Sequence, residues 1–199
     1  MSKYVEKSHN GYVELDIATK QLDEGIIYLS GEINDNTLIS FTEELLYLEN
    51  KKDIQNIIIL INSPGGLVSC GLSIIDLINN SNKDIITVCL SNAMSMAALI
   101  LSAGQKRYAL KSSKIMIHEP LIERTGGSAT NICKTAESIQ KTKDIIISIL
   151  ADNCNKDIKE IKDAISFDNY MNSKEAISFG IIDNILDKPI STLKEYIFE

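Results

Sequence analysis

The chain has 199 residues, 44% of them hydrophobic, enough to bury roughly 70% of the unfolded chain's surface in one core. With 20 Lys and Arg against 27 Asp and Glu the formal charge is −7, and no stretch gathers the basic residues together, which argues against nucleic-acid and anionic-membrane partners. Apolar runs such as Ile57 to Ile61 and Ala97 to Leu101 fall far short of the ~18 residues a spanning helix needs.

Residues 1–16 mix Lys3, Glu6, Lys7 and His9 with polar neighbours and contain no apolar stretch of secretory-signal type. A cytoplasmic location is expected, with a mobile segment over 1–15 ahead of a single domain over 16–199. Strand-type runs follow at 26–30, 56–62, 86–91 and 114–119, with starts 30, 30 and 28 residues apart. That is the length of a strand plus a crossover helix. Helical periodicity fills the gaps, over 36–50 (Leu38, Phe41, Leu45, Leu48), 67–80 (Leu67, Leu72, Ile75, Leu77, Ile78) and 96–103. The alternation predicts an α/β fold.

After His118 the pattern changes. Thr125-Gly126-Gly127-Ser128 reads as a flexible turn, and a long helix is expected over about 128–153 with Ile132, Ala136, Ile139, Ile146 and Leu150 as its stripe. A helix of about 25 residues is ~38 Å long, more than a domain of this size needs for its own core, so it is expected to project toward a partner subunit. Helices over 156–165 and 173–179, the latter stopped by Gly180, and a strand over 181–186 complete the chain.

Cys70, Cys89, Cys133 and Cys154 lie 19, 44 and 21 residues apart, which suits neither a disulfide framework nor zinc ligation; reduced, packed thiols are expected. The histidines are His9 and His118, so imidazole chemistry would fall to His118.

The chemistry-bearing residues gather at strand ends. The 56–62 strand runs into Ser63-Pro64-Gly65-Gly66, whose bare main-chain N–H groups at a helix start could hold an anion, either a phosphate or a reaction oxyanion. Gly66 and Gly71 have phosphate-loop spacing, but Leu72-Ser73 follows where Lys-Ser/Thr is required; a purely structural turn stays open. The next strand enters Asn92-Ala93-Met94-Ser95-Met96-Ala97-Ala98, where Ser95 is either a hydroxyl exposed at a strand-to-helix turn or a buried helix cap. His118, before Glu119-Pro120, sits at a strand end or in an ordinary turn, and Asp168 orients a base or serves as a cap. Together they bring a hydroxyl, an imidazole and free N–H groups to the ends of consecutive strands, where open α/β sheets carry their sites.

The set Ile61-Asn62-Ser63-Pro64-Gly65-Gly66, Ala93-Met94-Ser95-Met96, Met116-Ile117-His118-Glu119-Pro120 and Asp168-Asn169-Tyr170-Met171 resembles the ClpP family, the proteolytic subunits of Clp proteases, from about Asp16 to Leu186. The resemblance implies a ClpP/crotonase-like fold of repeated ββα units, with the long helix as a protruding handle. It implies an ATP-dependent serine endopeptidase in protein quality control, with Ser95 as nucleophile, His118 as general base and then acid, and Asp168 orienting the imidazole. Gly66 and Met96 would supply the oxyanion hole, and Gly65, Leu67, Pro120 and Leu121 would bind substrate. It further implies self-association into heptameric rings and a double-ring tetradecamer, with the N-terminal segment lining the axial pores. A hexameric Clp ATPase unfoldase would deliver unfolded polypeptides, and the subunit itself would need no cofactor or metal, ATP being used by the partner.

Several positions depart from the family pattern: Ser91 and Ala97 where glycine is usual, Glu119 where glutamine is usual, and Ser166-Phe167 in place of an Asp-Arg pair that links rings. Leu60 and Asn80 stand where aromatic side chains are expected in the clefts that dock the ATPase. The alternative is a divergent, weakly active or non-catalytic subunit that completes mixed rings with an active paralogue. An acyl-CoA enzyme of crotonase type would share the oxyanion hole but leave Ser95, His118 and Asp168 without a role.

Overall fold

The computed structural model describes residues 3–9, 11–121 and 126–189. Strands β1 (Lys3–Ser8) and β2 (Gly11–Asp16) form an antiparallel hairpin in the segment expected to be mobile. Most of both strands is exposed, so no alternating apolar pattern marks them in the sequence. The short helix α1 (Ile17–Asp23) buries no residue and was equally silent.

The remaining elements are β3 (Ile26–Ile33), α2 (Asp35–Glu49), β4 (Asn56–Gly66), α3 (Val68–Asn79), β5 (Asp84–Met94), α4 (Met96–Ser102), β6 (Lys106–Leu110), β7 (Lys114–Ile117), α5 (Ala129–Cys154), α6 (Ile158–Ala164), β8 (Asn169–Asn172), α7 (Ser173–Phe179) and β9 (Asn184–Leu186). Among the described residues seven strands make one sheet. Its main order is β3-β4-β5-β6-β9, with β7 joined to β5 and β8 to β7. Every pairing in it is parallel except β7 with β8. This mostly parallel sheet with packed helices is the expected α/β architecture.

Strand β4 shows why the sheet forms where it does. Ile57, Ile59 and Ile61 belong to the main core, whereas Ile58 and Leu60 join Ile86 and Val88 in a second buried cluster, as the two-residue period of a strand dictates. A strand buried on both faces needs an unbroken apolar run, and the sequence supplies one. Helix α4 is buried at all seven positions, which explains its lack of a polar face.

Helix α5 has 26 residues, about 39 Å of length. Ser128 Oγ accepts from Asn131 N–H at its start, and Asn155, left-handed at φ 52°, ends it. Its buried residues are Ile146, Ile147, Leu150, Ala151 and Cys154, so the predicted stripe divides: Ile146 and Leu150 enter the core while Ile132 and Ala136 stay exposed. Of the turn ahead of it, Thr125 lies outside the described residues. Gly180 stops α7 in the left-handed conformation at φ 96°, as its position suggested. The final strand is shorter than expected because Ile181 N–H still bonds back to Ala176 O at 3.0 Å. Strands β6 and β8 escaped the reading; β6 opens on Lys106-Arg107 and β8 has four residues. Among the described residues no helix is long and apolar enough to cross a membrane.

All four cysteines are free; Cys133 is exposed and the others are buried. Burial pushes the thiols of Cys89 and Cys154 up to about 11, which leaves little thiolate at neutral pH. In the dissociated single chain, Ellman's reagent at pH 8 is expected to modify Cys133 first and the remaining three only after denaturant is added, read as one fast thiol followed by three released on unfolding.

Candidate active site

Strand β5 changes neighbour along its length. Ile86 to Cys89 pair with β6, and Asn92 to Met94 pair with β7. Ser95 comes next, and its N–H donates to Met116 O at 2.8 Å. Because β7 runs parallel to β5 with Met94 opposite Met116, the chain leaving β7 brings His118 alongside Ser95. Strand β8 returns antiparallel, with Ile117 opposite Asn169, so Asp168 arrives facing His118. Glu119 N–H to Ile165 O, at 2.9 Å, ties the two segments again on the far side.

The turn at Ser95 has φ 53° and ψ −126°. A non-glycine residue in such a region costs of order 1–3 kcal/mol and persists only where its surroundings impose it. Here the bond to β7 on one side and the wholly buried α4 on the other impose it. Ser95 occupies the N-cap position of α4 but makes no side-chain cap; its Oγ lies 2.8 Å from His118 Nε2 instead. The helix-cap reading of Ser95 is therefore excluded. Asp168 is not a cap either, since Asn172 caps α7 in a capping box with Glu175.

Asp168 Oδ1 lies 3.3 Å from His118 Nδ1, and the two side chains are 55% and 14% exposed respectively. The carboxylate is within reach, yet among the described residues Nδ1 is a buried atom without a hydrogen-bond partner, so the two groups are near but not aligned. A hydrogen bond weakens steeply off axis. The hydroxyl–imidazole contact is thus closed, whereas the carboxylate is in range and unaligned. Tyr170 O–H donates to Asp168 Oδ2 at 3.5 Å, a long contact. Tyr170 was not singled out in the sequence; its place two residues beyond Asp168, on the same side of an extended segment, was the available signal.

Gly65 and Gly66 stand against this elbow. They close β4 rather than open α3, whose N-cap is Leu67, which corrects the placement of the pair at a helix start. A Cβ on Gly65 would lie 2.6 Å from Met94 O and 2.7 Å from Ser95 Cβ, and one on Gly66 would lie 2.2 Å from Ile33 O. Close backbone approach therefore requires both glycines. Gly65 N–H is committed to the buried Ser63 Oγ at 3.1 Å. Met96 N–H opens α4, among the first-turn amides that have no intrahelical acceptor, while its side chain is buried against Gly71. Leu67 and Leu121 are exposed on either side and Pro120 is half-buried; residues 122–125 lie outside the described part.

A family model for Clp protease matches residues 9–189, nearly the whole chain. With that match and the mostly parallel sheet around Ser95 and His118, the chain belongs to the Clp protease family as a ClpP-type peptidase subunit.

Proposed function

We propose that the chain is a self-compartmentalising serine endopeptidase that cuts unfolded polypeptides into short peptides. The observation that carries this reading is the 2.8 Å contact between Ser95 Oγ, on its strained turn, and His118 Nε2. In the proposed reaction His118 Nε2 takes the Ser95 proton as Oγ attacks the peptide carbonyl, then gives that proton to the leaving amine; water repeats the sequence on the acyl-enzyme. In the reacting geometry Asp168, whose Oδ1 stands 3.3 Å from Nδ1, swings into line to accept from Nδ1–H, fixing the tautomer and stabilising the imidazolium. The N–H groups of Gly66 and Met96 receive the oxyanion, each worth on the order of 3 kcal/mol in the transition state.

Substrate backbone adds as a strand beside Gly65 and Leu67 on one side and Pro120 and Leu121 on the other, a mode that tolerates many sequences. The reacting groups all come from this chain's own side chains and amides, so the subunit is assigned no cofactor or metal. Residues 16–199 form the peptidase domain and 1–15 the axial segment. The exposed half of α5 and Phe167, 85% exposed, suit the contact between two heptameric rings, and a hexameric ATPase would feed the chamber in the cytoplasm.

Incubation of the assembled full-length protein with an unfolded polypeptide, followed by mass spectrometry, is expected to yield short peptides. Ser95→Ala should reduce the rate by at least ~10³. Cleavage that persists unchanged in Ser95→Ala would contradict the assignment.

A further inference from the structure

Glu119, next to His118 in the chain, links the segment that carries Asp168 to helix α5. Its N–H is bonded to Ile165 O, three residues ahead of Asp168. On the other side of the histidine, Ile117 pairs with Asn169, the residue just after Asp168. His118 and Asp168 are thus enclosed between two backbone ties, and neither segment can slide without breaking one.

The Glu119 side chain reaches away from these ties and forms an ion pair with Lys143 Nζ on α5. Lys143 stands where that helix changes character: residues 129–138 ahead of it are mainly exposed, whereas Ile146 and Ile147, one turn on, are buried. The pair therefore connects the residue after the histidine to the root of the projecting helix. The two side chains are 28% and 40% exposed, so solvent screens them less than a fully exposed pair.

We propose that Glu119 and Lys143 are a positioning pair that sets the aim of the His118 imidazole. The inference rests on the peptidase reading above. Removing either side chain leaves the backbone bond from residue 119 to Ile165 in place, so the segment stays folded while its strut to α5 is lost. Reactivity is sensitive to such loosening, because a misplacement of about 1 Å can cost on the order of 100-fold in rate.

The test is the second-order rate at which a small fluorophosphonate modifies Ser95 in the full-length assembled protein, a step in which the Oγ–P bond forms and fluoride leaves. Glu119→Ala and Lys143→Ala are each expected to slow it roughly tenfold. The double variant should be no slower than either single one, and the swapped chain, Glu119→Lys with Lys143→Glu, should recover most of the rate. Glu119→Gln keeps an acceptor for Lys143 and should fall between wild type and Glu119→Ala; it serves if the alanine variants fail to assemble. With a peptide substrate, kcat should fall while KM holds. Variants that label within about twofold of wild type, or effects that add in the double variant, overturn the positioning role alone. A wild-type protein that does not label overturns the peptidase reading and this inference with it.

Discussion

Alanine at position 66 is expected to cost on the order of 3–5 kcal/mol of stability and to dismantle the site. The added Cβ would lie 2.2, 2.7 and 2.9 Å from the O, N and C atoms of Ile33. All three are backbone atoms, so no change of rotamer relieves the clash; the end of β3 must move off β4. That movement would break the pairing of Ile33 with Gly66 and strain the bond from Leu67 N–H to Ile33 O at 2.7 Å. The amide proposed to meet the oxyanion would move with it. Gly126→Ala is the control, because no described residue lies within 4 Å of a Cβ there, and it should change stability by no more than about 0.5 kcal/mol. Urea unfolding of the two variants checks the pair: equal midpoints would contradict the packing account.

The second large effect concerns the order of losses at His118 and Asp168. His118→Ala should lower kcat by about 10⁴ or more, since it removes the group that takes and returns the proton. Asp168→Asn should cost less, about 10² to 10⁴. The reason for the difference is geometric: His118 Nε2 already meets Ser95 Oγ at 2.8 Å, whereas the carboxylate is half exposed and off the Nδ1–H direction. Groups that act as one unit are not additive, so the double variant should be no worse than His118→Ala alone. Steady-state kinetics on the three variants decide it. An Asp168→Asn loss larger than that of His118→Ala would mean that the carboxylate carries more of the rate than this geometry allows.

What could be read from the sequence follows from where burial leaves a periodic trace. Strands β3, β4 and β5 and helices α2, α3 and α5 each carry a buried stripe or run, and each was legible within a few residues. The exposed hairpin at 3–16 and α1 leave no such trace, and β8 is too short to show one. Ser95, His118 and Asp168 were each ambiguous alone. What brings them together is the change of β5's neighbour from β6 to β7 and the antiparallel return of β8, long-range pairings that local periodicity does not encode. The resemblance of four ordered motifs carried that information instead. The glycines were noticed for their bare amides, while the backbone contacts that require them depend on segments distant in the chain. The ion pair between Glu119 and Lys143 spans 24 residues and likewise has no local signal.

The most direct measurement is the mass of the assembled protein after exposure to a fluorophosphonate, with the adduct located by peptide mapping. One phosphonyl group per chain is predicted, on Ser95, and its formation should be suppressed in His118→Ala. An adduct on another residue, or none in any assembled form, would contradict a nucleophilic Ser95 activated by His118.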